Sequence, residues 1–263
     1  MTRMPMSLTR PHVPVAPGGD HPCGYLHSVE TGAAVDGPGM RVVLFLSGCL
    51  FRCSYCHNPD TWKLHNGRLV TLDEAVAEVS PYARFLKRSG GVTLSGGEPL
   101  MQAAFAGALL RRLKDEFGLH CALDTQGFLH ADVDDDWFDP VDLVLLDIKH
   151  SDPDAYQRLV GQPLQPTLDF ARRLVRLGKS MWIRYVLVPG VTDGTADIDR
   201  LGEFLVSLGS AVERVEVLPF HQLGASKWES LDMDYPLADT PVPTAEQTDA
   251  ARKRFAAYGL TVY

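Results

Sequence analysis

Along the chain, short runs of continuously apolar, β-branched residues alternate with segments whose apolar positions recur every three or four residues. The runs are "RVVLFLS" (41–47), "GVTLS" (91–95), "LHCALD" (119–124), "DLVLLDIK" (142–149), "MWIRYVLVP" (181–189) and "RVEVLPF" (214–220). Most lack the alternation of a half-exposed strand, which is the mark of parallel strands covered on both faces. The segments between them read as helices. Thr71 and Glu74 form a capping box for a helix that starts near Leu72, puts Leu72, Ala75, Val76 and Val79 on one face, and ends or kinks at Pro81. A second covers about 101–116, a third follows Pro166 and stops at Gly178, and a fourth covers about 198–208. A last one begins near Thr244, with Gln247 closing another capping box. The polar, proline-bearing stretch 222–243 reads as a long surface loop.

This alternation predicts an α/β fold with a parallel sheet and right-handed crossovers, open or curled into a barrel. Six strand–helix units are too few for an eightfold barrel. The expected division is a flexible leader over 1–24 and one domain over 25–263, long enough for a sizeable core. Hydrophobic residues make up 45% and charged residues 22%, an ordinary globular balance. No apolar run approaches the ~20 residues that cross a bilayer, so no membrane partner is expected. The net charge of −8 argues against a nucleic-acid groove. Five cysteines, three of them clustered, do not make a secreted disulfide set and point to a reducing compartment, the cytoplasm. Cys121 reads as a core thiol and Cys23 as incidental to the leader.

In sheets of this kind, chemistry gathers at the carboxyl ends of the strands. Six distant segments deliver polar groups there. The first strand leads to Cys49, Cys53 and Cys56, the second to "SGGEP" (95–99), and the third to "LDTQG" (123–127). The fourth gives Asp147 and Lys149, two apart and so on one face, the fifth contains Arg184, and the sixth ends in His221. The cysteine spacing is C-x3-C-x2-C. Three thiols are one short of a closed zinc site, and the fourth ligand would have to be remote or be His57, strained by its adjacency to Cys56. A four-iron cluster fits better. Its ligands are thiolates, and three of them leave one iron open for a chelating amine and carboxylate.

With Tyr55 just before the last cysteine, this spacing resembles the signature of the radical S-adenosylmethionine enzymes. The ordered set "VDGPGMR" (35–41), "GCLFRCSYCHNPDTW" (48–62), "GGVTLSGGEPL" (90–100), "LDTQGF" (123–128), "LVLLDIK" (143–149), "WIRYVLVPG" (182–190) and "LPFHQLGASKW" (218–228) narrows the likeness. From about Tyr25 to Tyr263 the chain resembles the glycyl-radical-enzyme activases, in the branch that serves pyruvate formate-lyase. The resemblance implies a partial (β/α)6, TIM-like barrel. It implies a [4Fe–4S] cluster on Cys49, Cys53 and Cys56, with S-adenosylmethionine chelating the fourth iron. One electron would cleave the sulfonium bond, and the resulting 5′-deoxyadenosyl radical would take a hydrogen from a glycine α-carbon of the partner, pyruvate formate-lyase.

The same resemblance implies S-adenosylmethionine contacts from Tyr55, Cys56, His57, Gly96, Gly97, Asp147, Ile148, Lys149 and His221. Glu98 would accept from the methionyl amine or orient its loop, and the two glycines would let the backbone approach the cofactor. Asp124, Thr125, the carbonyl of Leu145 and Asp147 match a monovalent-cation site. Asp36 and Arg184 would hold the substrate loop, while Trp62, Trp182 and Trp228 read as packing residues. Reduced flavodoxin, or ferredoxin, is the implied electron donor, and a monomer is expected. Two spare cysteines are too few for the ferredoxin-like insert of other activases. The rival readings are an activase for another glycyl-radical enzyme, a radical enzyme acting on a small molecule, and a metal-binding module without catalysis.

Overall fold

The computed structural model describes residues 22–263; most of the expected leader, residues 1–21, lies outside the described residues. Among the described residues, eight strands form one sheet: β1 (Gly24–Ala33), β2 (Met40–Leu46), β3 (Arg68–Val70), β4 (Gly90–Gly96), β5 (Cys121–Thr125), β6 (Leu143–Asp147), β7 (Ser180–Leu187) and β8 (Val212–Pro219). Their order is β3-β1-β2-β4-β5-β6-β7-β8, so the sheet is not closed and has edges at β3 and β8. The six predicted strands are β2 and β4 to β8, and each pairs parallel with its neighbour. β1 lies outside the predicted set and pairs antiparallel with both β2 and β3. Its sequence, "GYLHSVETGA", is largely polar and half-exposed, so it lacks a run of buried apolar residues. Gly24 already belongs to this strand, and Cys23 before it is buried rather than incidental.

Eight α-helices among the described residues accompany the sheet: α1 (Leu72–Val79), α2 (Ala83–Ser89), α3 (Ala103–Phe117), α4 (Pro153–Val160), α5 (Gln165–Arg176), α6 (Thr195–Ser207), α7 (Ala225–Ser230) and α8 (Ala245–Ala256). Both capping boxes form, at Thr71 with Glu74 and at Thr244 with Gln247. Pro81 lies in the short 3-10 turn that separates α1 from α2. The stretch 222–243 is not simply a surface loop. It opens with a 3-10 turn at Gln222–Gly224 and continues into α7, whose Trp228 is buried.

Strand alternation divides the side chains into two sets. Leu44, Leu94, Leu123, Val144, Leu146, Ile183 and Val217 join Phe105, Leu109, Leu113, Phe170 and Leu174 of the helices in one large core. Fully burying such a side chain is worth about 1.5–3 kcal/mol, so this layer carries most of the hydrophobic stabilisation. The other set points into the curl of the sheet. Ala122, Leu143, Leu145 and Trp182 make a small separate cluster there. Further toward the strand ends the same face carries Ser95, Asp124, Asp147 and Arg184. Asp147 is registered against Arg184, and Arg184 against Glu216. The sheet is therefore apolar on its helix-covered face and polar on the upper part of its inner face.

Candidate functional site

The three clustered cysteines lie on the irregular segment that follows β2. Cys49 and Cys53 are 9% and 8% exposed, Cys56 is half-buried, and none is in a disulfide. Because the loop has little regular structure, its backbone groups must pair elsewhere. Gly48 N–H donates to Thr61 O at 2.6 Å and Cys49 N–H to Trp62 O at 3.1 Å. Arg52 and Ser54 donate to the last carbonyls of α4, Val160 O at 2.8 Å and Leu159 O at 3.0 Å. The indole N–H of Trp228, on α7, donates to Cys56 O at 2.8 Å. Its neighbour Lys227 donates to Asn58 Oδ1 at 2.8 Å and pairs with Asp60 Oδ2 at 3.0 Å. Two helices that the periodicity does not disclose thus hold the cysteine loop from behind.

The thiols open on a cleft of about 480 Å³, within the size range of small-molecule sites. Of the residues singled out from the sequence, Asp36, Tyr55, His57, Gly96, Gly97, Asp124, Thr125, Asp147, Lys149, Arg184 and His221 line it with the cysteines. Glu98, Leu145 and Ile148 do not. Ile148 is fully buried in the large core and Leu145 in the small inner cluster. Glu98 is 1% exposed and turns its carboxylate inward, accepting from Leu100 N–H at 2.9 Å, Thr125 Oγ1 at 2.7 Å and Gln126 N–H at 3.2 Å. Burial raises its pKa to about 7 against the pull of those hydrogen bonds. Of the two roles read for Glu98, these contacts are those of a loop-orienting residue. The adjoining glycines also act within the protein. A Cβ at Gly96 would sit 2.3 Å from Leu46 N, and one at Gly97 would sit 2.4 Å from Gly48 O. They let the end of β4 close against the start of the cysteine loop.

Charges in the cleft are paired. Lys149 Nζ lies 2.9 Å from Asp147 Oδ2 and 5.7 Å from the centre of the Tyr55 ring. Burial opposes the Lys149 charge, but Asp147 and Cys53 outweigh it and keep the ammonium protonated. Arg184 Nη1 lies 3.1 Å from Asp124 Oδ2 and 3.6 Å from Asp36 Oδ1, so one guanidinium links β5 to the loop before β2. His57 and His221 stack with their rings 4.0 Å apart and 14° from parallel. Burial, followed by the neighbouring His221, lowers the His57 pKa to about 4, so the His57 ring is neutral near pH 7.

The donor set fits an iron–sulfur cluster better than a single ion. Among the described residues, no three His, Cys, Asp or Glu side chains converge closely enough to hold one metal ion. His57 is engaged by stacking and by His221 O, 3.2 Å from its Nε2. Burial pushes the Cys53 thiol up to about 12 and raises Cys49 and Cys56 as well. Buried thiols gathered on one cleft become thiolates when a metal centre neutralises them. Four buried polar atoms on the cleft's lining residues, Tyr55 Oη, Asp124 Oδ1, Gln126 Oε1 and Arg184 Nε, have no hydrogen-bond partner among the described residues. Native proteins pair such groups as a rule, so their concentration here marks a place for a polar ligand.

Residues 43–202 match the family model of the radical SAM superfamily, and the chain belongs to that family. Over 236 residues it is 48% identical to the pyruvate formate-lyase-activating enzyme of Staphylococcus aureus (strain USA300), covering 87% of this chain and 93% of the relative. A crystal structure of a domain of the pyruvate formate-lyase-activating enzyme from Bacteroides vulgatus ATCC 8482 superposes with a TM-score of 0.54 at 27% identity, over 66% of this chain and 98% of that one. A radical SAM methyltransferase from Sphaerobacter thermophilus shares the fold, with a TM-score of 0.61 at 20% identity over 85% of this chain and 65% of that one. The open, mainly parallel sheet is the partial barrel expected from the resemblance.

Three residues had no functional reading from the sequence beyond packing. Lys227 and Trp228 carry no signal of their own, because their contacts lie about 170 positions away. Gln126 stands in "DTQG", and only its place after a strand at the rim hinted at a role.

Proposed function

We propose that this chain is an activase that generates a glycyl radical on pyruvate formate-lyase. The carrying observation is the convergence of three free thiols, two of them buried and one half-buried, with Lys149, His221, Arg184 and Asp36 on one cleft, in a chain 48% identical to enzymes of that name. Cys49, Cys53 and Cys56 would each ligate one iron of a [4Fe–4S] cluster. When bound, that cluster would supply one electron for reductive cleavage of S-adenosylmethionine to methionine and a 5′-deoxyadenosyl radical, and that radical would take the hydrogen from the glycine α-carbon. Lys149, kept charged and aimed by Asp147, would hold the carboxylate of S-adenosylmethionine. The His57–His221 stack and Tyr55 would flank its adenosyl part.

Arg184 and Asp36 would receive the partner's glycine loop, which must approach to about 3–3.5 Å for the hydrogen to move. The unpartnered Nε of Arg184 leaves a donor for a peptide carbonyl. Asp124, with Oδ1 unpartnered, and Asp147 would contribute to a monovalent-cation site together with Thr125 and the Leu145 carbonyl. The Thr125 hydroxyl is already committed to Glu98. Reduced flavodoxin or ferredoxin would supply electrons to a monomeric, cytoplasmic enzyme whose domain includes Cys23 and Gly24. Five cysteines, three of them clustered as cluster ligands would be, support the reducing compartment.

The test is electron paramagnetic resonance on protein reconstituted without oxygen, mixed with S-adenosylmethionine, a reductant and the host's pyruvate formate-lyase. A glycyl doublet on the partner, lost with Cys53→Ala, is expected. A cluster signal that responds to S-adenosylmethionine without a doublet would reject this partner. A folded protein with no cluster signal would reject the chemistry.

A further inference from the structure

Gln126 follows β5 and is 5% exposed. Its backbone is fixed on both sides. The N–H donates to Glu98 Oε2 at 3.2 Å, and the carbonyl accepts from Thr167 Oγ1 at 2.8 Å. Thr167 Oγ1 in turn lies 3.1 Å from Tyr156 Oη, and both of these residues are fully buried. The side chain therefore leaves a rigid point. Its amide nitrogen Nε2 reaches to 3.9 Å from Cys49 Sγ, and its Oε1 is buried with no partner among the described residues.

A buried amide with an unpaired oxygen costs free energy that an apolar side chain of similar size would not. The contact with Cys49 offsets that cost only when the sulfur is a good acceptor. A thiol is a weak acceptor, whereas an anionic thiolate makes a charge-assisted hydrogen bond. Against an anionic, cluster-ligating sulfur, which has no S–H to donate, turning the amide over would set two acceptors together, so the nitrogen belongs on the sulfur side. Hydrogen bonds to ligand sulfurs are one of the means by which a protein sets the potential of an iron–sulfur centre.

We infer that Gln126 is a tuning residue, whose Nε2–H donates to the Cys49 sulfur and makes the bound centre easier to reduce. The inference rests on the cluster reading above. The reduced centre carries one more negative charge than the oxidised one. A donor on a ligand sulfur therefore stabilises the reduced form more and raises the potential.

The test compares the full-length wild-type chain with Gln126→Leu and Gln126→Met, all reconstituted without oxygen. Both substitutions keep the bulk and remove the donor. Iron and sulfide content is measured first, then the midpoint potential by a titration followed with electron paramagnetic resonance. Expected is unchanged iron content with a more negative midpoint in the variants. The reduced-to-oxidised ratio at a fixed potential should fall by up to about tenfold, and tenfold equals 59 mV for one electron. The iron–sulfur stretching bands of the wild type should shift in D2O by more than those of the variants.

If one variant fails to hold iron, the other carries the comparison. Equal midpoints at equal iron content would overturn the inference and leave the cluster reading intact. Loss of iron from both folded variants would make Gln126 an assembly residue and also overturn it. A wild-type chain that assembles no iron–sulfur centre would overturn both readings.

Discussion

Trp228 donates its indole N–H to the carbonyl oxygen of Cys56 across 2.8 Å, although 172 positions separate them in the chain. The same ring meets Trp62 edge-on at 5.2 Å, and the Arg52 guanidinium lies 4.8 Å from the Trp62 ring. A six-residue helix near the C-terminal end thereby fixes the last cysteine of the loop. Trp228→Phe keeps most of the packing and leaves the Cys56 carbonyl without its donor. The expected loss is about 1 kcal/mol of stability, the low end of the cost of an unpaired acceptor because this one is only partly buried. Urea unfolding would measure it, and iron per chain after reconstitution should fall as well. An unchanged midpoint with full iron would show that α7 does not hold the loop.

Arg184 reaches two carboxylates, Asp124 and Asp36, from different segments. Both contacts run through Nη1, so what a lysine lacks is the guanidinium's other donors, the unpartnered Nε–H among them. Arg184→Lys is therefore expected to leave iron content and cleavage of S-adenosylmethionine in the absence of partner near wild type. The yield of glycyl radical on the partner should drop by about tenfold or more, roughly the effect of losing one charge-assisted contact. Equal loss in both assays would place Arg184 with the cofactor instead.

Asp197, 4% exposed, gives a pH dependence of stability. Its Oδ1 lies 2.7 Å from His150 Nδ1 and accepts from Ser151 N–H at 2.6 Å, and its Oδ2 accepts from Tyr185 Oη at 2.5 Å. Burial works against the charge, but these hydrogen bonds outweigh it and hold the carboxyl below the usual range. A lowered folded pKa means that the contribution is complete above the unfolded value, near about pH 4, and is lost as pH falls through the folded value. Cluster-free wild type and Asp197→Asn should differ by about 2 kcal/mol at pH 7. The gap should narrow below pH 4, as read from urea midpoints at each pH. A gap of constant size would contradict the assignment.

A four-iron cluster held by only three protein thiolates, as proposed, would leave one iron open to solvent species. Exposure to air is expected to bleach the visible absorbance and release iron within the same period. Absorbance and iron content before and after air are the readouts. Survival of both would argue against a cluster with an open corner.

Much of the fold is legible in local composition. The strands β2 and β4 to β8 announce themselves because a parallel strand packed under helices is written as a continuous apolar run. β1 is not legible in this way, since a half-exposed antiparallel strand carries polar residues such as His27, Ser28 and Glu30. α4 does carry local signals: Asp152 caps it, Pro153 opens it and Gly161 closes it in the left-handed conformation. α7 carries none, because six residues are too few to display a period.

By itself, the sequence determined the cysteine spacing, the six parallel strands and the polar groups that end them. Those properties reside in neighbouring residues. Only the tertiary structure decided which way the groups face. Glu98 turns from the cleft to hold β5, Gly96 and Gly97 close strand against loop, and Gln126 meets Cys49. Each of these outcomes depends on a partner tens of positions away. The physical reason is that hydrogen bonding and steric fit act through space, across contacts that exist only once the sheet has curled and the helices have packed on it.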